Sequence, residues 1–339
     1  MLMPTKPFLL LYLFVSVILT GCARSGSFVF LEGNALGTLY SVTYRKPPDV
    51  PHGFEDTMKQ TIAGCFDQIN NSFSIYNNHS LLSHINDNRS QETDSIFRIV
   101  FLKAVQITEE TAGAFDISAA PFFDVWGFGT QKKSIVNPAS LEEIRNYTGM
   151  ALFELVDAKL IKKDPRARLN MNGIAKGFAC DFIAHAMENQ GVTDLLIEIG
   201  GEIVCKGFNP KKQPWKIGID SPVDGNTTPG KDIFVTLQLT NKALATSGNY
   251  RNYYMKDGQK YAHTIDPRTG EPARHNLLSA TVVADDCMSA DAYATAFMVM
   301  GADGAIAFLQ EHPELGAYLI YEENGVFRTF VTNNINPEL

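Results

Sequence analysis

The chain has 339 residues, of which 45% are hydrophobic and 19% charged, with a net charge of −8 at neutral pH. That length and apolar content suffice for one large domain or two ordinary ones with a packed core. The acidic balance argues against a nucleic-acid partner, which calls for a basic footprint. An anionic substrate must then be met locally, by a metal ion, Lys, Arg and backbone N–H groups.

The N-terminus reads as an address. Lys6 precedes an apolar run from Phe8 to Leu19, and the run closes on Leu19-Thr-Gly-Cys22. Such a run is too short for a permanent bilayer span and ends in small residues like a cleaved signal. A Cys directly after Leu-Thr-Gly resembles the bacterial lipobox, the alternative being an ordinary signal peptide with an incidental Cys. The expectation is a signal peptide over 1–21, a lipidated tether over 22–30, and one folded domain over 31–339, held at the cell envelope by a lipid on Cys22 and facing the periplasm or exterior.

Residues 37–44 alternate like a first strand. Residues 55–74 and 95–111 carry apolar side chains at helical spacing, and a loop-like Ser-Phe-Ser-Ile-Tyr segment lies between them. Short apolar runs over 152–169 flank turn residues and predict hairpins. A helix is expected over 174–189. Strands are expected over 195–205, 215–219, 233–239, 278–284, 317–321 and 326–331, and helices over 288–300 and 302–311. Runs of strands with inserted helices favour α+β over a doubly wound sheet. Cys65, Cys180, Cys205 and Cys287 are scattered without metal-ligand spacing, which argues against zinc and favours buried free thiols over disulfides.

Several segments carry chemistry. Asp291 and Thr295 stand four apart on a predicted helix, so their oxygens share one face. A carboxylate plus a hydroxyl suits Mg²⁺, which keeps waters and takes further oxygens from substrate phosphates. His263 lies in Tyr261-Ala-His-Thr-Ile-Asp-Pro-Arg-Thr-Gly270, before a turn, where it could move a proton near that metal. Residues 170–177 (Asn-Met-Asn-Gly-Ile-Ala-Lys-Gly) open a helix whose N–H groups, with Lys176, could meet phosphate, or could be a plain helix start. Thr111-Ala-Gly-Ala-Phe-Asp116 and Trp126-Gly-Phe-Gly129 could stack and bond a flat heterocycle, or could hold a core Phe with a capping Asp. Ile199-Gly-Gly-Glu202 and Thr246-Ser-Gly-Asn-Tyr-Arg251 are Gly-hinged strand ends where backbone can approach a ligand. Arg251 could contact a phosphate or make a surface ion pair.

In order along the chain, these segments resemble the signatures of the FAD:protein FMN transferases, the ApbE family. Leu36-Gly-Thr38, Phe73-Ser-Ile-Tyr76 with Ser80-Leu-Leu-Ser83 and Asn86 belong to the same match, which runs from about Leu31 to the C-terminus. The resemblance implies a single ApbE-like (T-fold-like) α+β domain of mostly antiparallel sheet with inserted and flanking helices. It implies Mg²⁺-dependent cleavage of FAD and transfer of FMN to a Thr or Ser hydroxyl of an acceptor flavoprotein, with release of AMP. The acceptors implied are membrane redox-pump subunits or exported flavoproteins. By position it implies that Asp291, Thr295 and the carbonyl of Gly173 hold Mg²⁺. Leu36, Tyr76, Ala114, Phe115, Asp116, Asn170, Lys176 and Ile265 fall where the family contacts FAD, and His263 falls at its catalytic histidine. Asp291 and His263 are then the catalytic pair, with Arg251 and Lys176 able to stabilise phosphoryl charge. Leu36 stands where the family mostly has Met, and Asn170 where Asp is common. The rival readings are an FAD pyrophosphatase and a non-enzymatic exported FAD-binding lipoprotein.

Overall fold

The structure is a computed structural model that describes residues 27–129, 138–223, 230–249, 253–256, 259–262 and 264–338. Strands β1 (Phe28–Ala35) and β2 (Thr38–Arg45) form a hairpin in continuous register, Phe28 opposite Arg45 and Ala35 opposite Thr38. Residues 28–30, the end of the stretch expected as a tether over 22–30, belong to this strand. The folded body begins inside that stretch, because Val29, Leu31 and Ala35 pack inward on the core while Phe30, Glu32 and Asn34 face out. The hairpin turn is Leu36 and Gly37, both at positive φ (50° and 75°). That is the backbone of a type I′ turn, which favours Asn, Asp or Gly at its first position, so a leucine there is strained.

Helix α1 (Phe54–Phe73) buries Met58, Ile62, Cys65, Phe66, Ile69 and Phe73 at helical spacing. Two capped helices follow. α2 (Leu81–Asn86) has Ser80 accepting from the Ser83 N–H at 3.0 Å, and α3 (Ser95–Glu110) has Asp94 accepting from the Phe97 N–H at 2.7 Å. The short helices α4 (Ala120–Trp126) and α5 (Pro138–Arg145) precede the hairpin β3 (Phe153–Val156) and β4 (Lys159–Lys162). Helix α6 (Ala175–Glu188) leads into β5 (Leu195–Ile199) and β6 (Glu202–Lys206). The single strand expected over 195–205 is a tight hairpin instead, since Gly200 and Gly201 both take positive φ (65° and 107°).

Strands β7 (Trp215–Asp220), β8 (Ile233–Leu239) and β9 (Lys242–Gly248) come next, then two small hairpins, β10 (Tyr253–Lys256) with β11 (Gln259–Ala262) and β12 (Ile265–Asp266) with β13 (Glu271–Pro272). The chain finishes with β14 (Leu277–Ala284), helix α7 (Cys287–Glu311), β15 (Gly316–Glu323), β16 (Val326–Val331) and β17 (Pro337–Glu338). α7 is broken at Gly301 (φ 75°, ψ 178°), so the two helices expected at 288–300 and 302–311 are both present. The helical break frees the Met298 carbonyl, and His275 Nε2–H donates to it at 2.6 Å while Nδ1 accepts from the Leu277 N–H at 3.2 Å. α7 is long and apolar enough to cross a membrane, yet most of it is buried against the sheet and other helices.

Eight strands form one antiparallel sheet in the order β1-β2-β5-β6-β9-β14-β15-β16. One face carries α1, α6 and α7, where Leu195, Ile197, Ile199, Ala280 and Val282 meet Phe178, Ile183, Ala290 and Phe297. The other face meets the small sheet β17-β8-β7, where Ile203, Leu244 and Val283 pack on Trp215, Ile217, Val235 and Leu237. Covering both faces explains why β6 and β14 read as nearly unbroken apolar runs. A satellite cluster of Phe122, Val125, Ile144 and Ile265 packs under the β12–β13 hairpin. Cys65, Cys180, Cys205 and Cys287 are buried and free.

Candidate active site

The site is built where the first turns of α6 and α7 meet. Ile174, at the N-cap of α6, supplies no side-chain cap, so the first N–H groups of that helix need an outside acceptor. Asp291, on α7, provides one: its Oδ2 accepts from the Gly177 N–H at 3.0 Å. Asp181, on α6, returns the favour to α7 by accepting from Cys287 and Met288 N–H at 2.9 and 2.8 Å. The crossing is close only because residue 177 lacks a side chain, since a Cβ there would lie 2.3 Å from the Cys287 carbonyl oxygen. Reciprocal capping fixes a carboxylate at a helix N-terminus, and one turn along α7 from it stands Thr295.

Gly173 completes the group. A Cβ at Gly173 would sit 3.3 Å from Thr295 Oγ1 and 3.3 Å from the Phe115 ring, so its bare backbone leaves the Thr295 hydroxyl approachable. Lys176, in the same first turn, is hydrogen-bonded to Glu202 Oε1 at the start of β6. Burial raises the Glu202 and Asp291 carboxyls above their ordinary values, against the pull of Lys176. Burial alone would lower Lys176, but Asp291 and Glu202 together hold it above its ordinary range. Two buried carboxylates therefore share one ammonium. Glu202 is 3% exposed, and its Oε2 has no hydrogen-bond partner among the described residues.

The other expected residues fall at different distances from this centre. Phe115 and Ala114 are buried in the core, and the Asp116 carboxylate accepts from the Ser118 N–H at 2.7 Å. Burial raises the Asp116 carboxyl against those Ser118 hydrogen bonds. Asn170 is tied to the same segment, its N–H donating to the Ile117 carbonyl at 2.7 Å, and its Oδ1 accepts from the Asn172 N–H at 3.0 Å. Asn86 holds the approach to it, donating to the Leu169 carbonyl at 2.9 Å and accepting from the Leu169 N–H at 2.8 Å.

Ile265 is a core residue of the satellite cluster, so any ligand contact there falls to its backbone. The hairpin it starts lies beside Gly113, where a Cβ would meet the Arg268 stem at 3.5 Å. Leu36 sits in the β1–β2 turn, and the neighbouring Thr38 methyl is 2.9 Å from where a Cβ of Gly200 would be. That places the turn against the loop leading to Glu202. Tyr76 is 69% exposed, and among the described residues its one hydrogen bond is from its N–H to Ser74 Oγ. Arg251, His263 and Cys22 lie outside the described residues.

Sequence reading missed the role of Glu202, marking it only as part of a Gly-hinged strand end. The available signal was a lone carboxylate heading an otherwise apolar Ile-Val-Cys run, a position that burial tolerates only with a partner. Gly177 and Asp181 carry no local signal, because each acts on a helix more than a hundred residues away.

The fold and the site define an α+β protein that presents a carboxylate, a hydroxyl and a lysine at crossed helix N-termini, an arrangement suited to a hard cation and phosphate oxygens. The profile of the ApbE family matches residues 36–319, and the chain belongs to that family. It is 31% identical over 328 residues to the FAD:protein FMN transferase of Vibrio cholerae serotype O1, covering 95% of this chain and 96% of that protein. The FAD:protein FMN transferase of Haemophilus influenzae is 32% identical over 325 residues, 93% of this chain and 92% of its own. Among solved structures, the flavin transferase ApbE from Vibrio cholerae superposes with a TM-score of 0.81 at 29% identity, covering 91% of this chain and 97% of that one. The apo flavinyl transferase ApbE from Pseudomonas stutzeri gives 0.82 at 26% identity, with 92% and 96% covered.

Proposed function

We propose that this chain is an FAD:protein FMN transferase, which cleaves FAD at its pyrophosphate and joins FMN to a Thr or Ser hydroxyl of an acceptor flavoprotein, releasing AMP. The observation that carries this reading is the buried Asp291 carboxylate fixed on the Gly177 N–H, with Lys176 beside it, in a chain of the ApbE family. Asp291, Thr295 and the Gly173 carbonyl are the residues that would hold Mg²⁺. The open backbone at Gly173 beside the Thr295 hydroxyl fits such an ion. When bound, Mg²⁺ supplies Lewis-acid neutralisation of the pyrophosphate.

The chain's own groups divide the remaining work. Lys176 and the N-terminal N–H groups of α6 bind phosphate oxygens and stabilise charge on the transferred phosphoryl, with Arg251 as a second cation. Asp116, Asn170 and the backbone of Ala114 and Phe115 line the nucleotide together with Leu36, Tyr76 and Ile265. His263 takes the proton from the acceptor hydroxyl as its oxygen bonds to the FMN phosphorus, and the bond to AMP breaks. Residues 1–21 serve as an export signal, and a lipid on Cys22 anchors the chain to the membrane, facing membrane redox-pump subunits or exported flavoproteins as acceptors.

The deciding experiment incubates the protein with FAD and Mg²⁺, with and without a Thr-bearing acceptor. AMP released only with acceptor, alongside covalent FMN on it, is the expected result. AMP without acceptor would make the chain a pyrophosphatase, and no AMP in either arm would leave a flavin-binding protein.

A further inference from the structure

Glu202 opens β6 directly after the Gly200–Gly201 turn, and its backbone is pinned from two sides. It pairs with Ile199 across the hairpin, and the Cys180 thiol donates to its carbonyl at 3.3 Å. Its backbone is thus fixed to the sheet. Lys176 is the mobile member of the pair, an ammonium on a four-carbon stem.

Lys176 has a second carboxylate within its electrostatic reach. It is adjacent in the chain to Gly177, whose N–H already holds Asp291 Oδ2 at 3.0 Å, and Asp291 attracts the ammonium along with Glu202. Yet the hydrogen bond goes to Glu202. An ammonium seated on Asp291 would compete with any cation for the same oxygens, since both are counter-ions for one buried charge. That Glu202 Oε2 has no partner among the described residues adds to the case, because a pair retained only to lock the fold would satisfy both oxygens.

We propose that Glu202 is a positioning residue that holds the Lys176 ammonium off Asp291 and so keeps that carboxylate open to a divalent cation. The inference rests on the reading of Asp291, Thr295 and Gly173 as the cation site. It makes the Gly-Gly-Glu hairpin a control on metal affinity rather than a nucleotide contact.

The test is direct Mn²⁺ binding to the full chain, followed by the electron paramagnetic resonance signal of the free ion, with thermal melting run in parallel. Wild-type protein should bind one Mn²⁺ and Asp291→Asn should lose it; without that pair of results the cation site itself falls, and the inference with it. Given the site, Glu202→Gln should weaken Mn²⁺ binding about tenfold, the scale of one misplaced neighbouring charge at a partly shielded site. Adding Lys176→Met to Glu202→Gln should restore affinity to within about threefold of wild type, because the competitor is gone. Unchanged affinity in Glu202→Gln would overturn the proposal. A double variant no better than Glu202→Gln would overturn it as well, making Glu202 a direct ligand or, if both variants melt early, a purely structural residue.

Discussion

Asp291 has two jobs that one substitution can separate. Its Oδ2 caps α6 through the Gly177 N–H, and its charge is what a cation would read. Asn at 291 keeps an oxygen for the cap and removes the charge, so Asp291→Asn should melt close to wild type while FMN transfer falls by at least about 10²; Asp291→Ala should lose the cap too, at about 1 kcal/mol. Normal Mg²⁺-dependent transfer by Asp291→Asn would rule out the assignment. For His263 the separation is between binding and chemistry. His263→Asn should bind FAD near wild-type affinity, while transfer drops about 10² to 10⁴, the scale of a lost general base. A variant that fails only because FAD no longer binds would make the histidine a ligand contact.

Among the elements, α7 and the segment before α6 depend on single polar side chains. His275 bridges the break at Gly301 as a neutral ring, donating to Met298 and accepting from Leu277, and burial lowers its pKa below the ordinary value near 6.5. A lowered pKa means that the unfolded chain binds the proton more readily. Stability is therefore full above about pH 6.5 and declines as pH falls below it toward the folded-state value. His275→Gln should flatten that acid limb in urea titrations run at pH 7.5 and 5.5; an unaltered slope would place the acid sensitivity elsewhere. Asn86→Ala strands both polar groups of buried Leu169 and should cost about 2–4 kcal/mol, read as a lower urea midpoint at unchanged slope. The long elements were legible in sequence, since α1, α3 and both halves of α7 repeat their apolar positions over several turns. α2 and α4 were not, because six or seven residues hold too few repeats, and the β5–β6 hairpin was hidden inside one apolar run that only the Gly-Gly pair interrupts. Legibility of the site divides the same way. Asp291 and Thr295 share a helix, so their spacing betrays them, and Gly173 came only with the family resemblance, whereas the Asp291–Gly177 bond and the pairing of Glu202 with Lys176 join distant parts of the chain and have no local pattern.

At the scale of the whole molecule, the eight-stranded sheet is covered by helices on one face and by the small sheet on the other, with Phe28 on an edge strand. That edge is where the proposed tether joins the body. Cys22→Ser should release the protein into the soluble fraction or leave its signal uncleaved; unchanged sedimentation with membranes would point to another anchor. The proposed export would set a demand on α7 that has nothing to do with catalysis. A translocating chain passes the lipid unfolded, and a 25-residue apolar stretch is long enough to be taken as a stop-transfer segment. Asp291 lies within that stretch, and Asp303 follows beyond the Gly301 break. A carboxylate near the middle of an inserting helix costs about 2.5–3.5 kcal/mol, so on the proposed export route Asp303, nearer the middle of the stretch than Asp291, would do most to keep this helix from lodging in the bilayer.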